Sequence, residues 1–356
     1  MKFVNEQKGK HLPWWARVLL ALVLLLLILT LSGMWFVNHT LNLIQFDTAP
    51  APTPEVIVLE GATPPPATPV PTKAPPESHR DEVFNVLLLG TDERSNKFSD
   101  NARADSIMLV SLDTYHNTIK LASIERGIGV PVPGRNDDWI THTFRYGGAD
   151  LTLQTVRDCF GVDVDHYVRI NFHAFKNAIN SIGGVDVDLM RQEADALQQA
   201  EGTNHMDGSD ALDYSRLRSI DSDWKRIERQ RKVVKAGVQQ IKENFSLTQI
   251  PALVEAVLPT VQTNLTKTEI AGLMLKVPGF LKSEAPINDL TIPTKDTCWN
   301  SVGVDGRKMI AVDFEANAKI LDEFFYPEEP EYKVKATPSP TAAPVPTAAP
   351  AATPAP

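Results

Sequence analysis

Apolar and polar positions divide this chain into four regimes. Val18 to Val37 is an unbroken run of 20 uncharged, mostly apolar residues, long enough to cross roughly 30 Å of hydrocarbon as a helix. From 38 to 80 apolar positions are sparse and follow no period. From 81 to 326 short apolar runs alternate with amphipathic stretches. From 327 to 356 the pattern fades again. Within the third regime, Val83 to Leu89, Ser106 to Leu112, Thr118 to Ile124, His166 to Ile170, Val185 to Leu189 and Ala211 to Arg218 read as strands. Leu151 to Phe160, Phe172 to Ile182 (stopped by Gly183-Gly184) and Ser222 to Asn244 read as helices. Strands and helices mix throughout, which predicts an α/β body with a central mixed β-sheet flanked by helices.

The flanks of the apolar run give it a direction. Lys2, Lys8, Lys10 and Arg17 precede it, Asp47, Glu55 and Glu60 follow it, and Trp14, Trp15 and Trp35 sit near its ends. This bias predicts a cytosolic N-terminus (1–17), a transmembrane helix (18–37) and an extracytoplasmic remainder. A cleaved signal peptide has a shorter apolar core and a small-residue cleavage site; Gly33-Met34-Trp35-Phe36 is a poor one, so the run is read as a signal-anchor. The 27 prolines outnumber the 19 glycines. Ten of them lie between Ala49 and Ser78, which predicts a semi-rigid linker (38–80) lifting the body off the membrane. The Pro/Ala/Thr-rich end (327–356) is expected to be a disordered tail. A net charge of −9 argues against a nucleic-acid coat. Two cysteines exclude a disulfide-rich scaffold; Cys159 and Cys298 are compatible with one disulfide or with a buried thiol. His142, His166, His173 and His205 lack metal-ligand spacing.

The chemistry concentrates between Ala211 and Arg231. On a strand, Leu212, Tyr214, Arg216 and Arg218 share a face, and two guanidiniums on one face require an anion. Asp221 or Asp223 would cap the following helix. Arg226, Arg229 and Gln230 fall on one helical face close to that N-terminus, where free N–H groups attract anions. Arginine forks fit phosphate oxygens, so the set reads as a pyrophosphate cradle; a solvated basic face is the plainer reading of Lys225, Arg231, Lys232 and Lys235. Asp92, after the first strand, and Asp105, at the start of the next, could hold Mg²⁺ through oxygen ligands; a turn aspartate and a surface ion pair remain the alternative on spacing alone. Arg126, at the end of another strand, either joins the cradle or is an ordinary surface arginine.

The ordered set Gly90-Thr91-Asp92, Arg103-Ala104-Asp105, Arg126, Tyr146-Gly147-Gly148, Val168-Arg169-Ile170-Asn171, Ile182-Gly183-Gly184-Val185-Asp186-Val187, Asp207-Gly208-Ser209-Asp210-Ala211-Leu212, Tyr214-Ser215-Arg216-Leu217-Arg218, Asp223-Trp224-Lys225-Arg226, Arg229-Gln230 and Thr263-Asn264-Leu265-Thr266 resembles the LytR–CpsA–Psr family. The resemblance implies an extracytoplasmic, membrane-anchored, Mg²⁺-dependent phosphotransferase that moves a glycopolymer from a polyprenyl-pyrophosphate carrier to peptidoglycan. It implies metal-linked aspartates at Asp92 and Asp105, pyrophosphate-binding arginines at Arg126, Arg216, Arg218 and Arg226, the motif's acidic residue at Asp223, and a polar contact at Gln230. A sugar hydroxyl would attack the sugar-side phosphorus and polyprenyl phosphate would leave, with Asp223 or Asp105 receiving the proton. Two departures stand out: the family usually has Pro-Arg-Asp where this chain has Glu125-Arg126-Gly127, and Gly where it has Lys225. Rival readings are a polyprenyl-pyrophosphate pyrophosphatase and a non-catalytic lipid-pyrophosphate binding protein. The apolar faces of the helices at 151–160 and 172–182, with the long helix, are the candidates for a lipid groove, or are simply core.

Overall fold

The computed structural model describes residues 45–46, 79–93, 97–99, 101–244 and 249–327. The expected anchor, nearly all of the linker and all but the first residue of the expected tail lie outside the described residues. Among the described residues no helix is long and apolar enough to cross a membrane.

A seven-stranded mixed sheet forms the frame. Its strands are β1 (Gln45–Phe46), β2 (Val83–Thr91), β3 (Ala104–Asp113), β4 (Thr118–Ile124), β7 (His166–Ile170), β10 (Val261–Thr263) and β11 (Asn288–Ile292), in the spatial order β1-β10-β7-β2-β3-β4-β11. β2 pairs antiparallel with β3 and parallel with β7, and β4 pairs parallel with β11. Short strands β5 (Gly129–Val130) and β6 (Asp138–Trp139) form a ribbon beside the sheet. The expected central strand at 185–189 is instead part of a separate hairpin, β8 (Val185–Leu189) with β9 (Gly202–Met206).

Strand parity separates the two faces. Leu87 and Leu89 of β2, with Ile107 and Leu109 of β3, enter the main core, where they meet Leu153, Val156 and Phe160 of α1 (Ile140–Phe160). Leu88, Gly90, Ser106 and Met108 face the opposite side. α1 begins eleven residues before the expected Leu151, and its helical regularity breaks partway along. Gly147 and Gly148 leave helical geometry, with φ +64° at Gly148, so two helical stretches meet at a kink that L side chains resist.

The other face carries α2 (Phe172–Ser181), α3 (Arg191–Leu197), α4 (Gly208–Arg216), α5 (Asp223–Asn244) and α6 (Ile250–Val257). Their core unites Ile179, Val185, Val187, Met206, Ala211, Tyr214 and Val233. Gly208 permits the close approach of α4 to α2, because a Cβ there would lie 2.3 Å from the Lys176 carbonyl oxygen. The chain closes with α7 (Lys267–Lys282), the hairpin β12 (Cys298–Val302) and β13 (Lys308–Val312), and α8 (Phe314–Phe325), which buries Leu321 and Phe325 in the main core.

The expected strand at 211–218 is a helix. Asp207 accepts from the backbone N–H groups of Ser209 and Asp210 at 2.7 and 2.9 Å and starts α4. Ala211, Leu212, Tyr214 and Ser215 are its buried residues, a helical spacing.

Candidate functional site: an arginine-lined cavity

Between the sheet and the α2/α4/α5 layer lies a cavity of about 400 Å³. Its sheet side is the C-terminal end of β2 (Thr91, Asp92) and the N-terminal end of β3 (Asp105, Ser106). Ligand sites gather at such strand ends. Its helical side supplies Arg216 from the end of α4, Arg218 from the following loop, and Arg226, Gln230 and Val234 from α5. The last three are spaced i, i+4, i+8 and form one ridge along the helix.

Four guanidiniums and three carboxylates are gathered here. Arg126 donates from Nε to Asp223 at 2.8 Å and from Nη1 to Asp105 at 2.7 Å. Arg226, only 2% exposed, lies against Asp223 with N–O separations of 2.6 and 2.9 Å. Arg218 approaches the second oxygen of Asp105 at 3.8 Å. Arg216 stacks over Phe172 at 4.5 Å from the ring centroid, and among the described residues no carboxylate is paired with it. The guanidiniums outnumber the carboxylates, so the cavity favours an anion. Asp223 spends both oxygens on arginines, which fixes their orientation.

Arg216, Arg218, Arg226, Gln230 and Asp105 therefore line one cavity, as does Asp92, which accepts from the Arg103 N–H at 3.2 Å, while Arg126 and Asp223 do not line it and join it through their ion pairs with Asp105 and Arg226. Arg229 does not join them. It is 2% exposed and turned the other way, donating to Asp221 at 2.6 and 2.8 Å and to the Leu217 carbonyl at 2.7 Å, with Glu193 at 3.5 Å. Sharing a turn with Arg226 does not place it on the cavity side, because the ridge passes through residue i+4 rather than i+3. Asp221 is accordingly Arg229's partner and no helix cap, and hydrogen bonds from Arg229, against an opposing burial effect, hold its carboxyl below the usual range. Arg216 and Arg218 reach the cavity by a different route from the one expected: α4 ends at Arg216, Leu217 takes an extended conformation (φ −53°, ψ 126°), and the chain turns Arg218 back to the same side.

Glu125, from the Glu-Arg-Gly departure, is 2% exposed and does not line the cavity. Its Oε1 accepts from the Gly127 N–H at 3.1 Å, while Oε2 is buried without a hydrogen-bond partner. Burial, and then neighbouring Asp223, push its carboxyl above the usual range, against the pull of Gly127, Arg226 and Arg126.

Two hard carboxylates on one cavity suit Mg²⁺, which is held by one or two carboxylates plus phosphate oxygens and water. Among the described residues no group of three or more His, Cys, Asp or Glu side chains has metal-binding geometry; a ligand's own oxygens would have to complete the shell. The four histidines have structural partners, as with His142–Asp138 at 3.0 Å and His166–Glu269 at 3.1 Å. Cys159 and Cys298 are both free, and burial pushes the Cys159 thiol up to about 12.

A second cavity of about 360 Å³, almost wholly apolar, continues from the first. The two share Ile170, Phe175 and Val234, and the second adds Ile179, Val238, Ile241, Leu253 and Val257. It runs between α2, α5 and α6. The stretch at 151–160, a candidate for this lining, packs instead into the main core. Sequence reasoning does not single out Asn171 and Phe172 as site residues. Asn171 caps α2 by accepting from the Ala174 N–H at 2.8 Å, and Asn directly after a strand is the signal that marks this strand-to-helix junction.

Arginines and aspartates thus cluster at the strand ends of an α/β sheet, beside an apolar annex. The chain belongs to the LytR_cpsA_psr family, whose model matches residues 65–324. It is 31% identical over 218 residues to the polyisoprenyl-teichoic acid–peptidoglycan teichoic acid transferase TagU of Bacillus cereus, covering 60% of this chain and 70% of that one. It is 36% identical over 208 residues to TagT of Bacillus subtilis, a transferase of the same description, covering 54% of this chain and 63% of that one. The solved structure of TagT bound to LIIa-WTA superposes with a TM-score of 0.56 at 27% identity, over 71% of this chain and 94% of that one.

Proposed function

We propose that this protein is an extracytoplasmic, membrane-anchored phosphotransferase that moves a glycopolymer from a polyprenyl-pyrophosphate carrier to peptidoglycan. The observation that carries the reading is the meeting of the two cavities: an arginine-lined chamber and an apolar one share the walls formed by Ile170, Phe175 and Val234. A polyprenyl pyrophosphate has the same division between charged head and greasy tail. The teichoic acid transferases named above support the choice of glycopolymer and acceptor.

In this reading Arg216 and Arg218, the cations least committed to carboxylates, take the pyrophosphate oxygens. Arg226 and Arg126 are held at fixed positions by Asp223 and Asp105, so their field costs no reorganisation when charge develops. Gln230 offers an amide donor from the same ridge. A sugar hydroxyl of the acceptor forms a bond to the sugar-side phosphorus. The bond from that phosphorus to the bridging oxygen breaks, and its electron pair leaves with polyprenyl phosphate. The hydroxyl proton passes to Asp105 Oδ2, which lines the cavity and is held only loosely by Arg218. Phosphoryl transfer needs positioning and electrostatics more than a covalent nucleophile. Asp92 and Asp105 would hold Mg²⁺, which when bound neutralises charge on the diphosphate.

The test is product analysis with the full chain in detergent, a polyprenyl-pyrophosphate-linked oligosaccharide and isolated peptidoglycan. Sugar phosphate covalently attached to peptidoglycan, lost on chelation with EDTA and restored by Mg²⁺, is the expected result. Release of free sugar phosphate at the same rate with and without peptidoglycan would assign a pyrophosphatase instead.

A further inference from the structure

A third cavity, of about 240 Å³, opens on the far side of the arginine cluster. It is lined by Trp224, Lys295, Cys298, Trp299, Asn300 and Ile310. Trp299, on β12, is 58% exposed. The indole therefore leaves more than half of its surface open to a ligand. The composition is that of a sugar site. Flat indoles stack against the C–H faces of a pyranose, and an amide and an ammonium at the rim match its hydroxyl and N-acetyl groups.

This cavity shares no lining residue with the cradle but adjoins it through the chain. Trp224 directly follows Asp223, the carboxylate that holds Arg126 and Arg226. Ile310 donates its backbone N–H to the Gly127 carbonyl at 3.1 Å, one residue beyond Arg126. The order along α5 is Trp224, then Arg226 and Gln230, then Val234, Val238 and Ile241. At about 1.5 Å per residue, Trp224 and Val238 are separated by roughly 21 Å along the helix axis. Along the helix axis Trp224 thus precedes the phosphate-side and lipid-side residues, though it stands two residues from Arg226 and so on a different face of the helix. In an in-line displacement the attacking oxygen enters opposite the leaving oxygen. With the polyprenyl phosphate leaving toward the apolar annex, entry of the acceptor from the Trp224 end would meet this requirement.

We propose that the Trp224/Trp299 cavity is the acceptor subsite, binding the N-acetylated glycan strand of peptidoglycan by stacking a sugar ring on Trp299. The proposal rests on the transferase reading for its choice of acceptor, but its binding test does not depend on turnover. The probe is a soluble tetrasaccharide of alternating N-acetylglucosamine and N-acetylmuramic acid, titrated into the full chain in detergent and followed by calorimetry. Farnesyl pyrophosphate is titrated in parallel. Trp299→Ala is expected to weaken tetrasaccharide binding at least tenfold and Trp299→Phe to recover most of it, with farnesyl pyrophosphate affinity the same in all three proteins. Thermal melts confirm that the exposed substitutions leave the fold intact. Absence of tetrasaccharide binding to the unsubstituted protein, or unchanged affinity in Trp299→Ala, would overturn the proposal. So would displacement of the tetrasaccharide by a free repeat of the donor polymer, which would give the cavity to the donor. Tetrasaccharide binding that depends on Trp299 while farnesyl pyrophosphate fails to bind would keep the subsite and discard the transferase reading.

Discussion

Arg218 and Arg229 show how differently two arginines eleven residues apart can be used. Arg218 is exposed and only loosely paired, so Arg218→Ala should leave the melting temperature within about 1 °C while lowering pyrophosphate affinity by roughly tenfold or more, the scale of a charge-assisted contact; calorimetry with inorganic pyrophosphate measures this. Arg229 is buried with Asp221 and Glu193, so Arg229→Ala should destabilise by about 3–5 kcal/mol, because it leaves buried carboxylate uncompensated; denaturant unfolding measures that. Glu125 carries a pH signature. Its carboxyl binds its proton more tightly in the folded protein than in the unfolded chain. Its contribution is therefore full at low pH and is lost as pH climbs from the ordinary carboxylate range through its raised value. Glu125→Gln should erase that loss, melting higher than the parent at pH 8 and alike at pH 4. A parent protein whose stability does not fall relative to the variant across this window would contradict the assignment. Sequence reveals the presence of these residues but not their allocation: Arg226 and Arg229 share a turn of helix, and the ridge that meets the cavity and the surrounding carboxylates distinguish them.

At the scale of elements, the sheet strands are legible because apolar runs such as Val83 to Leu89 end in turn signals. The segment at 211–218 misleads because alternation of Tyr214, Arg216 and Arg218 imitates a strand. Asp207-Gly208-Ser209 ahead of it carries the helix signal, a capping aspartate two and three residues before the N–H groups it accepts. Hairpin β12–β13 is secured by Asp138. Arg307 donates to that carboxylate, as do Tyr146 at 2.6 Å and the Trp139 N–H at 2.7 Å, and the Trp139 indole donates to the Lys308 carbonyl at 2.9 Å. Burial raises the Asp138 pKa, but these hydrogen bonds win and bring it to about 2. The stability it contributes is present above the unfolded-state carboxylate value and is lost as pH falls through about 2. Asp138→Asn should remove this share of the acid transition and increase amide hydrogen exchange across residues 298–312. Unchanged exchange in the hairpin would show that it is held by other contacts.

At the scale of the whole molecule, the proposed reading assigns the phosphate, lipid and sugar parts of the reactants to three separate cavities. The division is only partly visible in the sequence. The arginine cluster can be assembled from spacing, whereas the apolar annex depends on α6 meeting α2 and α5, a contact between segments some seventy residues apart. Blocking the annex with Val238→Trp should reduce affinity for a long-chain prenyl pyrophosphate to that for inorganic pyrophosphate, leaving the latter unchanged. Each buried methylene is worth about 0.8 kcal/mol, so affinity in the unsubstituted protein should climb with chain length until the annex is full.

β1 adds one more constraint. Gln45 and Phe46 pair with Gln262 and Thr263 of β10, a strand that lies just beyond Leu253 and Val257 of the annex. With 18–37 spanning the bilayer, only seven residues would separate the membrane from the sheet, a leash of at most about 28 Å. On the proposed reading, a carrier lipid would have only that short span to cross between the leaflet and the apolar chamber.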